Sequence, residues 1–232
     1  MEIHGLQKLT LLDYPGHTAC TVFTARCNWR CPFCHNASLV LRGEEQPVIA
    51  EEEFFAFLDK RRGLLDGVAV TGGEPTLHRD LPEFLRRVKD AGFKVKLDTN
   101  GTNPAMLRAI LEEGLADYVA MDIKAGRANY PAVTGTLRPG MDRVAESAEL
   151  LKASGVEHEF RTTVVRELHS DEDFEDIAEW LAGEERYFLQ QFKDSGDLVS
   201  DGCSACTAEE MERFLAIVRR TIPGAEIRGL QL

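Results

Sequence analysis

What this sequence lacks sets its first limits. The opening stretch, Met1 to Tyr14, places Glu2, His4, Lys8 and Asp13 among its apolar residues. It therefore has the unbroken apolar run of neither a spanning helix nor a secretory signal, and a cytoplasmic protein with no membrane association is expected. There is no basic stripe either. Asp and Glu outnumber Lys and Arg by 39 to 27, and the basic residues fall in scattered pairs such as Arg61-Arg62, Arg86-Arg87 and Arg219-Arg220. That argues against nucleic acid as a partner. Low-complexity tracts are missing, and 44% apolar with 28% charged residues is the balance of a folded globular chain. The acidic runs Glu51-Glu52-Glu53 and Asp171-Glu172-Asp173 read as helix starts, where negative charge complements the helix dipole.

What is present is a regular alternation. Ile3 to Leu12 and Thr18 to Phe23, joined by the turn Tyr14-Pro15-Gly16-His17, read as a β-hairpin feeding the first core strand. Helices are then expected at Ala50–Arg62, Leu81–Ala91, Pro104–Glu113, Met141–Ala153 and Asp171–Ala182. Strands are expected between them at Gly67–Thr71, Lys94–Asp98, Asp117–Ile123, Glu157–Val165 and Arg186–Phe192. A last helix, Ala208 to Arg220, and the short Glu226 to Leu230 segment read as a closing cap. Repeated βα units of this kind form parallel sheets, and six core strands are too few for a full eightfold barrel. The expectation is an α/β fold: an incomplete (β/α)6 barrel with an N-terminal hairpin and a C-terminal capping helix. A chain of 232 residues accommodates this as one domain, with the hairpin at 1–17, the barrel core at 18–192 and the cap at 193–232.

The unusual polar groups all fall where strands end. They are the cysteine loop, Thr71-Gly72-Gly73-Glu74-Pro75, Asp98-Thr99-Asn100-Gly101, Met121-Asp122-Ile123-Lys124, Arg161 with Thr163, and Gln190-Gln191. In barrels the C-terminal ends of the strands carry the active site. Of six cysteines, four lie between Cys20 and Cys34; in a reducing compartment such a cluster reads as metal ligands rather than disulfides. Cys27, Cys31 and Cys34 place three thiols within eight residues, close enough to hold three corners of an iron–sulfur cubane. Zinc, with Cys20 or His35 completing a tetrahedron, is the alternative from these residues alone. Glycines at 72 and 73 let backbone approach a ligand closely, and Glu74 with backbone carbonyls can accept from an ammonium group.

The C-x3-C-x2-C spacing with Phe33 before the last cysteine resembles the signature of the radical S-adenosylmethionine (SAM) superfamily. The likeness extends to Gly72-Gly73-Glu74-Pro75, which in that superfamily binds the amino group of the methionine moiety. Asp98-Thr99-Asn100-Gly101 and Met121-Asp122-Ile123-Lys124 narrow it to the activating proteins of glycyl-radical enzymes. Gly5-Leu6-Gln7-Lys8, Leu12-Asp13-Tyr14-Pro15-Gly16 and Cys34-His35-Asn36 are most similar to the branch that activates anaerobic ribonucleoside-triphosphate reductase. The resemblance runs from the opening to Gln190-Gln191-Phe192.

It implies a [4Fe-4S] cluster on Cys27, Cys31 and Cys34, and reductive cleavage of SAM to a 5′-deoxyadenosyl radical. It further implies hydrogen abstraction from a glycine of a partner glycyl-radical enzyme, with flavodoxin or ferredoxin as electron donor. Asp98, Thr99, Asn100 and Asp122 would line the cofactor, with a monovalent cation near Asp98 and Asp122. Lys124 and Arg161 would neighbour the cofactor or the incoming peptide, and Phe33 would pack by the adenine. Only 36 residues separate Cys34 from Thr71, which leaves no room for a ferredoxin-like insert, so one cluster is expected. Cys203-Ser204-Ala205-Cys206 departs from the branch, whose tail has no cysteine pair. The rival readings are a small-molecule radical SAM enzyme, such as a 7-carboxy-7-deazaguanine synthase, and a non-catalytic zinc or iron–sulfur module.

Overall fold

Val68-Ala69-Val70 and Val119-Ala120-Met121 are buried without interruption, the pattern of strands covered on both faces rather than on one. They sit in a chain of alternating elements in a computed structural model that describes residues 1–230. In order these are β1 (Gly5–Thr10), β2 (Ala19–Thr24), α1 (Ala37–Leu41), α2 (Glu51–Asp59), β3 (Gly67–Gly72) and α3 (Leu81–Asp90). Then come β4 (Lys94–Thr99), α4 (Pro104–Glu112), β5 (Tyr118–Asp122), α5 (Tyr130–Thr134), α6 (Met141–Ser154) and β6 (Glu157–Val164). The last are α7 (Asp171–Trp180), β7 (Tyr187–Gln191), α8 (Ala208–Val218) and β8 (Glu226–Arg228).

The eight strands follow sequence order in one sheet. β1 runs antiparallel to β2, the expected hairpin; the pairs β2–β3, β3–β4, β6–β7 and β7–β8 are parallel. Strands β2 to β7 are the six core strands of the incomplete (β/α)6 barrel, and α8 is the C-terminal helix. Three details differ from the sequence reading. The five-residue helices α1 and α5 were not anticipated. The first long helix stops at Asp59. The segment assigned to the cap instead adds a strand, β8, beside β7; positions 231 and 232 of the 193–232 cap lie outside the described residues. No helix among the described residues is long and apolar enough to cross a membrane.

The residues gather into two compact units. The first comprises Met1–Asn28, Ser38–Ala120 and Arg143–Glu157. Here Tyr14, from the hairpin turn, is buried against Tyr118 with ring centroids 6.1 Å apart. Gly67 makes room for it, since a Cβ there would stand 2.8 Å from both the Tyr14 ring and the Lys94 carbonyl oxygen. Helix α3 buries Leu81, Phe84, Leu85 and Val88 on one stripe. The second unit comprises Trp29–Ala37, Met121–Asp142 and the chain from His158 on. Its helices α7 and α8 pack through the stacked rings of Phe174 and Phe214, 4.3 Å apart. Each begins with a capping box, Ser170 with Asp173 and Thr207 with Glu210, satisfying first-turn N–H groups.

Candidate active site

In the first unit, the loop leaving β2 meets the loop leaving β3 backbone to backbone. The Gly73 amide donates to the Thr24 carbonyl and the Glu74 amide to the Arg26 carbonyl, both at 2.8 Å. A Cβ on Gly73 would fall 1.9 Å from the Arg26 oxygen, and one on Gly72 would fall 2.4 Å from the Thr24 oxygen. Gly72 also holds φ at +112°, a conformation that glycine alone adopts cheaply. Arg26, with φ +68°, is the single non-glycine residue in the left-handed region among the described residues, and it immediately precedes Cys27. The two glycines thus have a packing reason of their own, which is to let the strand ends lock and set the start of the cysteine loop.

Glu74 is buried and its carboxylate is fully engaged. Oε1 accepts from the Thr76 amide (3.1 Å), the Thr76 hydroxyl (2.5 Å) and the Thr99 hydroxyl (2.8 Å), while Oε2 accepts from the Asn100 amide (2.7 Å). Burial pushes this carboxyl above its usual range, and those four donors pull the other way. Glu74 therefore braces the end of β3 to the end of β4. Beside it the Asn100 side chain donates to Asn28 Oδ1 at 2.9 Å, and its Oδ1 accepts from the amide and hydroxyl of Thr102. Asn28 donates in turn to the Thr102 hydroxyl at 3.0 Å. This ring brings Asn100 Nδ2 to 3.8 Å from Cys27 Sγ. Asn28 and Thr102 were not singled out in the sequence, because their role depends on a closure across more than 70 positions.

Lys96 was also missed. Its side chain is 2% exposed and its ammonium is ion-paired with Asp98, two residues along β4 and so on the same strand face. A lysine alternating with Val95 and Leu97, with an aspartate two positions on, is the sequence signal that could have revealed it. A monovalent cation seated on Asp98 would stand near that ammonium. At about 4 Å and an effective dielectric of about 20, their repulsion is roughly 4 kcal/mol.

The second unit holds the other sequence-predicted residues. Cys31 and Phe33 are buried, and the Cys34 amide closes a turn onto the Cys31 carbonyl at 3.0 Å. At the end of β5, Asp122 accepts from Lys124 Nζ at 2.7 Å and from Arg161 Nε, on β6, at 2.6 Å. Burial opposes the Asp122 charge, yet the Arg161 guanidinium and the Lys124 ammonium hold its carboxyl well below the usual carboxylate range. Lys124 is held above its ordinary value, against burial, by Asp122 and by the thiols of Cys31 and Cys34. Its ammonium lies 5.9 Å from the Phe33 ring centroid, a cation over an aromatic face. The Cys34 thiol is pushed up by burial, and the Asn36 amide and Lys124 ease it back.

The strand-end groups Thr163, Gln190 and Gln191 line a cavity of about 260 Å³ together with His35, Lys193 and Arg228. Arg228 on β8 reaches it while its two terminal guanidinium nitrogens donate to the carboxylate of buried Glu159, each at 2.8 Å. A larger cavity, about 570 Å³, opens at the start of α7. It holds none of the residues singled out for chemistry, so the smaller one is the better candidate for substrate.

The remaining cysteines divide by environment. Cys20 is wholly buried on β2, and burial pushes its thiol up to about 12. Cys206 is buried, with its thiol pushed up to about 11 by burial and by Glu210, and Cys203 is raised by burial, Glu167 and Asp194. No disulfide forms among the described residues. No three His, Cys, Asp or Glu side chains stand together in metal-holding geometry among the described residues. The donor set nonetheless fits an iron–sulfur cluster: three thiols within eight residues, an amide N–H beside Cys27 Sγ and, in the second unit, an ammonium whose charge favours a thiolate at Cys34.

The radical SAM superfamily profile matches residues 21–181. A protein of Methanocaldococcus jannaschii, whose name assigns it as a glycyl-radical enzyme activating enzyme, is 35% identical over 98% of this chain and 96% of its own length. The pyruvate formate-lyase-activating enzyme of Clostridium pasteurianum is 30% identical over 64% of this chain and 63% of its own. Among solved structures, a domain of the pyruvate-formate lyase-activating enzyme from Bacteroides vulgatus superposes with a TM-score of 0.57. At 17% identity, covering 70% of this chain and 99% of that domain, it speaks to the fold. The chain belongs to the radical SAM superfamily, and that family implies a [4Fe-4S] cluster and SAM. Within it, the relatives above carry the names of activating enzymes.

Proposed function

We propose that this protein is a glycyl-radical-enzyme activase, with anaerobic ribonucleoside-triphosphate reductase as its partner. The observation that carries the activase reading is the 35% identity to the M. jannaschii protein over nearly the whole of both chains; the choice of partner rests on the likeness of Gly5-Leu6-Gln7-Lys8, Leu12-Asp13-Tyr14-Pro15-Gly16 and Cys34-His35-Asn36 to the branch that activates that reductase. On this reading residues 1–232 act as one radical SAM domain. Cys27, Cys31 and Cys34 hold the cluster, and Phe33 packs by the adenine. When bound, the cluster and SAM supply a 5′-deoxyadenosyl radical after one electron from a reduced flavodoxin or ferredoxin.

The chain's own residues bind and orient. Glu74, committed to Thr76, Thr99 and Asn100, shapes the β3 end, where the backbone of the Gly72-Gly73 turn would face the methionine ammonium. Asp122, Lys124 and Arg161 form a fixed polar wall beside the second-unit cysteines. Gln191 is tied to the Cys206 carbonyl at 2.8 Å, while the Gln190 amide suits a peptide backbone, so the 260 Å³ cavity receives the glycine-bearing segment of the partner.

The test is anaerobic incubation of the cluster-loaded chain with SAM, reduced flavodoxin and purified anaerobic ribonucleotide reductase, followed by electron paramagnetic resonance. The proposal expects a glycyl-radical doublet on the reductase. SAM cleavage with no radical on the reductase, but a radical on another glycyl-radical enzyme, would reassign the partner. Cleavage with no radical on any of them would favour a small-molecule substrate.

A further inference from the structure

Lys96 is a buried ammonium that the account so far leaves unused. It has three N–H donors, and among the described residues its one hydrogen bond goes to Asp98. At 2% side-chain exposure, water is a poor substitute for the missing acceptors. Neighbouring polar groups at this strand end are already committed, Glu74 to Thr76, Thr99 and Asn100, and Asn100 to Asn28 and Thr102. The expected monovalent cation does not fit here, because Asp98 already carries a matched positive charge. In the second unit Asp122 carries two, from Lys124 and Arg161.

We infer that Lys96 is a further cofactor-binding residue: its ammonium, neutralised and oriented by Asp98, donates to the carboxylate of the methionine moiety of SAM, so that no bound monovalent cation is needed. The inference rests on the reading of the chain as a SAM-cleaving enzyme and adds the chemistry that recognises one end of the cofactor. An ammonium fixed by an aspartate two residues along one strand is pre-positioned and cannot be diluted away. Binding should therefore be indifferent to the salt's cation, and the discrimination should be for the carboxylate itself.

The experiment compares SAM with decarboxylated SAM, which lacks that carboxylate, by anaerobic calorimetry on the cluster-loaded chain. Wild type should bind SAM at least about tenfold more tightly than the decarboxylated compound, equally in potassium and choline chloride. Lys96→Gln should narrow that preference severalfold by weakening SAM while leaving the decarboxylated compound within about twofold. Because Lys96→Gln leaves Asp98 without its partner and can cost folding, the double variant Lys96→Gln/Asp98→Asn, which removes both charges, should show the same narrowing. An unchanged preference in a folded variant, or wild-type binding that requires potassium, overturns the role of Lys96 while leaving the enzyme assignment standing. If wild type binds neither compound, both the role and the assignment fall.

Discussion

At Glu74 a single carboxylate receives four hydrogen bonds from three residues of its own loop and the β4 end. In Glu74→Gln one carboxylate oxygen becomes an NH2 that faces donors, and at least one buried group loses its partner. The expected cost is on the order of 2 kcal/mol, seen as a fall of about 4–8 °C in the melting temperature by circular dichroism. An unchanged melting curve would show that the carboxylate braces nothing. At Asp122 the sign of the pH dependence follows from its depressed pKa. The pairing with Arg161 and Lys124 contributes fully above the ordinary carboxylate value of 3.8 and is lost as the pH falls below it. With side chains 16% and 24% exposed, Arg161→Met should cost about 1–2 kcal/mol at neutral pH. It should also weaken the acid dependence, as urea unfolding at pH 7 and below about pH 4 would measure. If the variant loses stability in acid as steeply as wild type, Asp122 is not the titrating group. The cysteines and Glu74 were legible in sequence because spacing and neighbours mark them. Lys96, Asn28 and Thr102 were not, because burial and cross-strand closure define their roles.

On the scale of elements, the packing of the β2 and β3 exits is the most exacting feature. Gly73→Ala would drive a methyl into the Arg26 carbonyl, and backbone would have to move where Cys27 begins its loop. Overpacking of this kind costs about 1–3 kcal/mol. The more telling readout is iron content after anaerobic reconstitution, which should fall well below wild type while helical ellipticity is kept. Full iron uptake by the variant would mean that the two loops are not mechanically joined. The long helices and β-branched strands were readable from periodicity, since each carries enough residues to show an apolar stripe or run. The five-residue α1 and α5 are shorter than the windows that reveal a period. Strand β8 has three residues, and its Arg228 pairs with Glu159, 69 positions away, which no local pattern could disclose. The glycines of the Gly72-Gly73 pair were read as room for a ligand; their missing side chains also make room for the chain itself, which no local pattern shows.

Across the whole molecule, six cysteines sort into three populations: three in the 27–34 loop, Cys20 in the core, and Cys203 with Cys206 in the tail. The tail pair has thiols raised by burial and acidic neighbours, the opposite of a reactive thiolate environment. The double variant Cys203→Ser/Cys206→Ser should therefore bind as much iron as wild type and cleave SAM at a similar rate. A loss of more than about half the iron would assign the pair to a metal site. The central claim, that the loop cysteines support reductive cleavage of SAM, is tested most directly by anaerobic reconstitution with iron and sulfide. Dithionite reduction and chromatography for 5′-deoxyadenosine would follow, with Cys31→Ala as control. The account predicts 5′-deoxyadenosine that requires both SAM and Cys31; stoichiometric zinc with no cluster, or a cluster formed equally well by Cys31→Ala, would contradict it.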